Sequence, residues 1–331
     1  MTPYYTNDLV TLYHGDCREV IPALDAGIDL LLTDPPYSKV VDCEWDALTH
    51  SELGDLLRGV FAATKPKLAG NAALYCFCWP KFAAQLEMLM GDYFHVLSHV
   101  VWCKRSPNGN RNDVGVKASL DTMRMYRPET ERIIFAEMPG ADGEYSRACD
   151  GIDDSATATA FAPLIAYFKQ AKAESGLSSK EIQDKMQELT GKRYVFDRHT
   201  FSASQWEMPT QEQYEAAATF MPLRREYEAL RRYHNPSKRN CSDFWQYEPV
   251  KPGNRQRIHP TQKPVALIAD MVTTSCRPGG VVLDPFAGGG TTGVAAMIAK
   301  RRAILMEQDE QYCEATAKRL EEHQRQLILN L

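Results

Sequence analysis

Residues 281–296, VVLDPFAGGGTTGVAA, place a buried strand, an acid and a run of glycines ahead of a helix-forming segment. This order constrains the fold more than any other stretch, because a strand that turns directly into a helix is the repeating step of a mainly parallel α/β sheet. Glycines in the turn let the backbone approach a ligand, and the helix N-terminus offers N–H groups to an anion such as a pyrophosphate or a carboxylate. Gly288, Gly290 and Gly293 satisfy G-x-G-x-x-G, and the next strand ends 23 residues beyond Asp284 in Glu307, placed for ribose hydroxyls. The pattern predicts a nucleoside-bearing cofactor, and NAD fits the same geometry.

A second strand breaks off differently. In LLLTDPPYSK, residues 30–39, an apolar run ends in Asp34, Pro35, Pro36 and Tyr37. Neither proline has an N–H, and Asp34 is pushed toward extended geometry by the proline after it. The chain must leave the sheet stiffly, with the Asp34 carboxylate and the Asp34 and Pro35 carbonyls left to accept hydrogen bonds.

Around these two points strands and helices alternate. Strands are predicted at 9–13, 29–33, 73–78, 96–103 and 132–135, and helices near 18–24, from the Thr49/Glu52 capping box to a stop before Pro66, and near 81–90. From about Gly151 to Asn240 the pattern is helical only, with capping boxes at Ser178/Glu181 and Thr210/Gln213; after Pro260 the α/β rhythm returns. The predicted organisation is a first α/β part over 1–150, a helical insert over 151–244 and a second α/β part over 245–331. Joining the last helix to the first strand turns the two α/β parts into one circularly permuted, Rossmann-like, doubly wound sheet. Ligands bind such sheets beyond the strand ends where the winding reverses. A reversal between the Gly288 strand and the Asp34 strand brings both motifs to one crevice.

The net charge of −5 argues against a phosphate-rich partner, but its distribution argues for one. Between Pro222 and Pro260 stand nine Lys and Arg against four acids, and between Val101 and Arg127 six against two. Such basic, loop-rich segments in an acidic chain point to an anionic partner. The nine cysteines include no Cys-x-x-Cys pair, which predicts neither a metal site nor a disulfide framework, and a reduced, cytoplasmic setting. No apolar run approaches the length of a membrane span, and the N-terminus carries no leader pattern.

At this point the motifs resemble a known family. DPFAGGG looks like the cofactor motif of S-adenosylmethionine-dependent amino-methyltransferases and DPPY like their catalytic motif; HPTQKP at 259–264 lies between the insert and the glycine turn. The order resembles the β class of DNA amino-methyltransferases, in which the catalytic motif comes first, target recognition next and the cofactor motif last. The resemblance implies that Asp284, Phe286, Gly288 and Gly290 line S-adenosylmethionine, with Glu307 on its ribose. It further implies Asp16 near the adenine ring of the cofactor, and Thr261, Gln262 and Lys263 by its methionine end. Gln308 stands where the family often has an apolar residue. Parts of the insert look like the helix-turn-helix-like inserts of some phage-borne methyltransferases. The implied substrate is double-stranded DNA, and the class suggests a homodimer and a restriction endonuclease partner.

The chemistry explains the stiff exit after Asp34. An aromatic amine is a weak nucleophile because its lone pair is delocalised into the ring. If Asp34 and the Pro35 carbonyl accept its N–H bonds, the lone pair is aimed at the methyl group, and orientation with charge stabilisation is the main catalytic task. Tyr37 then stacks on a base that has left the duplex. In this family Asp rather than Ser at position 34 leans toward the 6-amino group of adenine over the 4-amino group of cytosine. An NAD-dependent oxidoreductase leaves DPPY and the basic segments without a role, and intact Asp34, Tyr37, Gly288 and Glu307 speak against a decayed fold kept as a DNA-binding regulator. DNA binding is expected from Arg224, Arg225, Arg231 and Arg232, two pairs seven residues apart on one helix, and from Lys238 and Arg239.

Overall fold

The computed structural model describes residues 2–37, 47–104, 126, 129–138, 162–191, 200–201, 207–227, 230, 233–237, 241–251, 253 and 257–329. Its strands are β1 (Tyr5–Thr6), β2 (Val10–His14), β3 (Ile28–Thr33), β4 (Leu68–Cys78), β5 (His95–Cys103), β6 (Thr130–Glu137), β7 (Phe244–Gln246), β8 (Val281–Asp284) and β9 (Arg302–Glu307). They form one sheet in the order β1-β2-β9-β8-β3-β4-β6-β5-β7. The chain runs from β8 to β9 and, across the termini, to β2 on one side; from β3 it runs to β4 on the other. The winding therefore reverses between β8 and β3, which pair in parallel through Leu30–Val282 and Leu31–Leu283.

Both faces of the central strands are buried, which is why they read as continuous apolar runs. Leu30 and Leu32 join the cluster that includes Leu267, Met271 and Val272 of α7 (Val265–Ser275), while Leu31 joins Leu53, Leu57 and Phe61 of α2 (His50–Thr64) on the opposite face. The predicted capping box at Thr49 and Glu52 opens α2. On the first face, α8 (Thr291–Ile298) and α9 (Glu310–Leu329) cover β2 and β9 through Val294, Leu320, Val10 and Leu305. On the second, α1 (Cys17–Val20) and α3 (Ala83–Gly91) complete the layer. No helix among the described residues is long and apolar enough to cross a membrane.

Besides the two-residue β1, which runs antiparallel to β2, two features of the sheet depart from simple alternation. β6 runs antiparallel to both β4 and β5, so its first residues, Thr130 and Glu131, lie at the edge where the parallel strands finish. The short strand β7, FWQ, pairs with β5; Phe and Trp suit a strand, but three residues are too few to show an alternating pattern.

Residues 139–232 form a second compact unit, and Tyr233 onward belongs with the sheet. The sequence boundary at 244 falls within the sheet unit, where Asn235 N–H donates to the Thr274 carbonyl at 2.8 Å and Val101 N–H to that of Asp243 at 2.7 Å. The helical unit contains α4 (Ala162–Ser175), α5 (Ser179–Thr190) and α6 (Gln211–Ala218) and has its own core of Phe168, Ile182, Met186, Tyr214 and Ala217. Both predicted capping boxes are formed, at Ser178/Glu181 and Thr210/Gln213.

Candidate active site

Parallel strands put their last residues on one edge, and here that edge collects acids. Glu307 ends β9 beside His14 of β2, Asp284 ends β8 beside Leu305, and Asp16 and Asp34 follow the ends of β2 and β3. They open on a single cavity of about 810 Å³ at the winding reversal. Its wall includes Asp16, Asp34, Pro35, Pro36, Tyr37, Thr261, Gln262, Lys263, Asp284, Phe286, Gly288 and Glu307. Gly290 stands just behind the wall as the N-cap of α8. The volume lies in the range of small-molecule and cofactor pockets.

The glycine turn is held by its own neighbours. Gly288 and Gly290 have φ of +49° and +67°, a region costly for residues with a Cβ. A Cβ on Gly288 would lie 3.4 Å from the His259 ring, so the turn comes close to HPTQKP. Glu307 closes the turn: its Oε2 accepts from Gly288 N–H at 2.8 Å, and its Oε1 from the N–H groups of Gln308 and Asp309, both at 2.9 Å. Burial raises the Glu307 carboxyl against the pull of these donors. Asp284, 3% exposed, accepts from the Thr292 hydroxyl at 2.5 Å and from Phe286 N–H at 3.1 Å, yet burial pushes its carboxyl up to about 7. Asp16 caps α1 through Arg18 N–H at 2.8 Å and pairs with the Arg18 guanidinium.

HPTQKP is a folded turn. His259 Nδ1 accepts from Thr261 N–H at 3.4 Å, and burial among Lys263 and Arg257 lowers its ring to about 4, so the ring stays neutral at ordinary pH. Gln262 Oε1 accepts from Ile258 N–H at 3.0 Å. The same turn delivers Lys263, 6% exposed, whose ammonium lies 2.5 Å from Asp34 Oδ2 and 3.5 Å from Glu131 Oε2. The family resemblance implies the methionine end of the cofactor for Lys263; the residue lines the cavity, but its charged head is engaged with Asp34.

Asp34 is thus gripped from distant parts of the chain. The Tyr37 hydroxyl lies 2.9 Å from Asp34 Oδ1 and 2.8 Å from Glu131 Oε2, and its one hydrogen serves a single carboxylate at a time. Glu131 also pairs with Lys104, which follows β5. Burial raises the Asp34 carboxyl, opposed by Lys263 and reinforced by Glu131. Burial acts on Glu131 too, but the Lys263 and Lys104 charges together hold its carboxyl below the ordinary value. Glu131 and Lys104 carry no motif signal; Glu131 stands one residue ahead of the strand predicted at 132–135, and only the antiparallel course of β6 brings it here.

The basic candidates fare differently. α6 stops at Ala218, and Arg224 and Arg225 lie in irregular chain beyond Pro222, so the reading of one helix that carries both arginine pairs on a common face is corrected. Arg224 pairs with Glu174 at 2.9 Å, and Arg225 lies over the Tyr167 ring. Arg231, Arg232, Lys238 and Arg239 fall outside the described residues.

Comparison with known proteins agrees with this arrangement. DNA adenine methyltransferase YhdJ of Escherichia coli (strain K12) is 23% identical over 322 residues, which cover 96% of this chain and 84% of that protein. Type II methyltransferase M.HinfI of Haemophilus influenzae is 40% identical over 75 residues, 21% of its length. Among solved structures, M1.HpyAVI in complex with SAM superposes with a TM-score of 0.53 at 18% identity, covering 94% of this chain and 99% of that one. The cytosine-N4-specific PvuII DNA methyltransferase gives the same score at 14% identity, covering 98% and 93%. These likenesses confirm the Rossmann-like fold. Residues 28–318, which include Asp34, Asp284 and Glu307 of the strand edge, the glycine turn and the helical unit, match the family described as DNA methylase, and the chain belongs to that N6/N4 DNA methylase family.

Proposed function

We propose that the protein transfers a methyl group from S-adenosylmethionine to the exocyclic 6-amino group of adenine in double-stranded DNA, acting on a base turned out of the helix. The observation that carries this reading is that Asp34 and the Gly288 turn, both from family motifs, open on one cavity at the winding reversal. The cavity wall also bears on the cofactor. It holds seven carboxylates against two basic side chains, Arg18 and Lys263, each already paired with an acid. Such a wall repels a pyrophosphate and suits a ligand bearing a sulfonium and an ammonium, which favours S-adenosylmethionine over NAD.

In this reading Glu307 and Asp16 contact the nucleoside, Asp284 and the α8 N-terminus face the amino-acid end, and S-adenosylmethionine supplies the activated methyl group. Asp34 and the Pro35 carbonyl accept the N–H bonds of the target amine and fix its lone pair. The Asp34 carboxylate stabilises the positive charge that develops on the nitrogen as the nitrogen–methyl bond forms and the sulfur–methyl bond breaks to leave a neutral thioether, and the surplus proton leaves along the hydrogen bond to Asp34. Tyr37 holds the extruded base. The helical unit and the basic segment beyond Pro222 choose the DNA site.

Adenine is favoured by Asp34 and by the name of the relative that matches 96% of the chain. Cytosine is the second reading, because a cytosine-N4-specific enzyme shares the fold to the same TM-score. Incubation with unmodified plasmid DNA and labelled S-adenosylmethionine, followed by digestion to nucleosides and mass spectrometry, separates the two. The expected product is 6-methyladenine; 4-methylcytosine would transfer the reading to cytosine, and no labelled nucleoside would refute it.

A further inference from the structure

Four charged side chains meet at the cavity wall, with Asp34 and Lys263 in the wall and Glu131 and Lys104 behind it. Asp34 follows β3, Glu131 is the second residue of β6, Lys104 follows β5, and Lys263 precedes α7; together they carry two negative and two positive charges. Glu131 is 6% exposed and does not line the cavity. Its Oε1 takes Lys104, and its Oε2 faces both the Tyr37 hydroxyl and the Lys263 ammonium. A carboxylate this deeply buried is costly unless paired, and a purely structural strand could end on an apolar residue instead.

The reaction poses a problem that this arrangement solves. Both Asp34 oxygens already have donors, Lys263 on Oδ2 and Tyr37 on Oδ1. An incoming amine competes with these donors for the lone pairs of Asp34, and a buried ammonium that yields its place needs another carboxylate to receive it. Resting on the proposed methyl transfer, we infer that Glu131 is a positioning residue that receives Lys263 and the Tyr37 hydroxyl when the target amine takes up Asp34, leaving an acceptor oxygen of Asp34 open to the amine. Lys104 tunes the exchange: by occupying the far oxygen of Glu131 it limits how strongly Glu131 draws Lys263 away.

This predicts opposite shifts from two substitutions. The charged and titratable groups facing Asp34 are Tyr37 on its own turn, Lys263 ahead of α7, Glu131 on β6, Cys76 and Cys78 on β4 and Asp284 on β8. Glu131→Gln removes a neighbouring anion and leaves Lys263 wholly on Asp34. The amine then meets a blocked acceptor, while Asp34 holds its charge to lower pH. Lys104→Gln lets Glu131 draw Lys263 away, so Asp34 protonates at higher pH.

The test is a pH–rate profile on unmodified plasmid DNA at saturating S-adenosylmethionine, with cofactor affinity measured by calorimetry. For Glu131→Gln, turnover should fall about tenfold and the acid limb should move down by about one pH unit, with cofactor affinity unchanged. For Lys104→Gln the acid limb should move up. Folded variants with unmoved limbs, or limbs moved in the same direction, would overturn the inference. If Glu131→Gln does not fold, Lys104→Gln decides alone: an upward shift supports the exchange, and an unmoved limb overturns it. Absence of methyl transfer by the unsubstituted protein refutes the underlying reading instead, and is told apart by being independent of position 131.

Discussion

Glu307 and Asp34 stand at the same edge of the sheet, and the difference lies in what holds them. The Glu307 carboxylate is taken up by backbone N–H groups of Gly288, Gln308 and Asp309, two of them its immediate successors in the chain. Asp34 is held by Lys263, 229 residues away, and by Tyr37, whose hydroxyl is shared with Glu131, 94 residues from Tyr37. Backbone donors set one acid in a fixed, locally built cradle suited to binding. Long side chains leave the other acid partners that can be exchanged, which suits a group that must change hydrogen bonds during a reaction. Substitutions at the two ends should therefore separate binding from turnover.

The largest effect on the binding side is expected from Gly288→Val. It places a branched side chain at positive φ, against the His259 ring and into the cavity, and should weaken S-adenosylmethionine binding at least about a hundredfold in a calorimetric titration. Retained affinity would move the cofactor away from this turn. Glu307→Ala removes the acceptor of three N–H groups and the proposed ribose contact, and should cost about tenfold in cofactor affinity with near-normal turnover at saturation. A fall in turnover alone would erase the contrast between the two acids.

Tyr37→Phe sharpens the same contrast on the catalytic side. Stacking on a base needs only the ring and so predicts little change, whereas a hydroxyl lying between Asp34 and Glu131 predicts a loss of several-fold to about tenfold in turnover. Tyr37→Ala should lose the stack as well, and an indifferent alanine variant would leave base extrusion without support.

The smallest effect concerns stability. A carboxyl raised on folding, as Asp284 is from 3.8 to about 7, contributes stability fully below its unfolded value and loses it as pH rises through about 7. Between about pH 5 and about pH 8 the melting temperature of the ligand-free protein should therefore fall by a few degrees more than that of Asp284→Asn. Parallel curves would show that Asp284 is not the group responsible.

What was legible in the sequence follows the same division. The glycine turn, the capping boxes at Thr49, Ser178 and Thr210 and the strand-ending acids depend on near neighbours, and a local pattern can announce them. The order of the motifs with the termini joined gave the succession of strands, while the reversal between β8 and β3 entered only as a condition, which the sheet meets. Glu131 and Lys104 were not legible, because their place at the site depends on β6 running antiparallel, which no residue of TERIIFAE dictates. Lys263 stood in a recognised motif, but its pairing with Asp34 is a contact across most of the chain. The seven-residue spacing of the arginine pairs suggested a helix, yet Arg224 and Arg225 lie in irregular chain, held by Glu174 and the Tyr167 ring of another helix, contacts that the spacing does not reveal.

The central claim is that Asp34 acts on the transferring amine and leaves cofactor binding to the neighbouring strands. Its most direct test is the single-turnover rate of methyl transfer to unmodified plasmid DNA by Asp34→Ala, read beside the cofactor dissociation constant of the same variant. A rate at least about a hundredfold lower, with cofactor affinity within about twofold of the unsubstituted protein, is the predicted result. A near-normal rate, or a loss explained entirely by weaker cofactor binding, would contradict it.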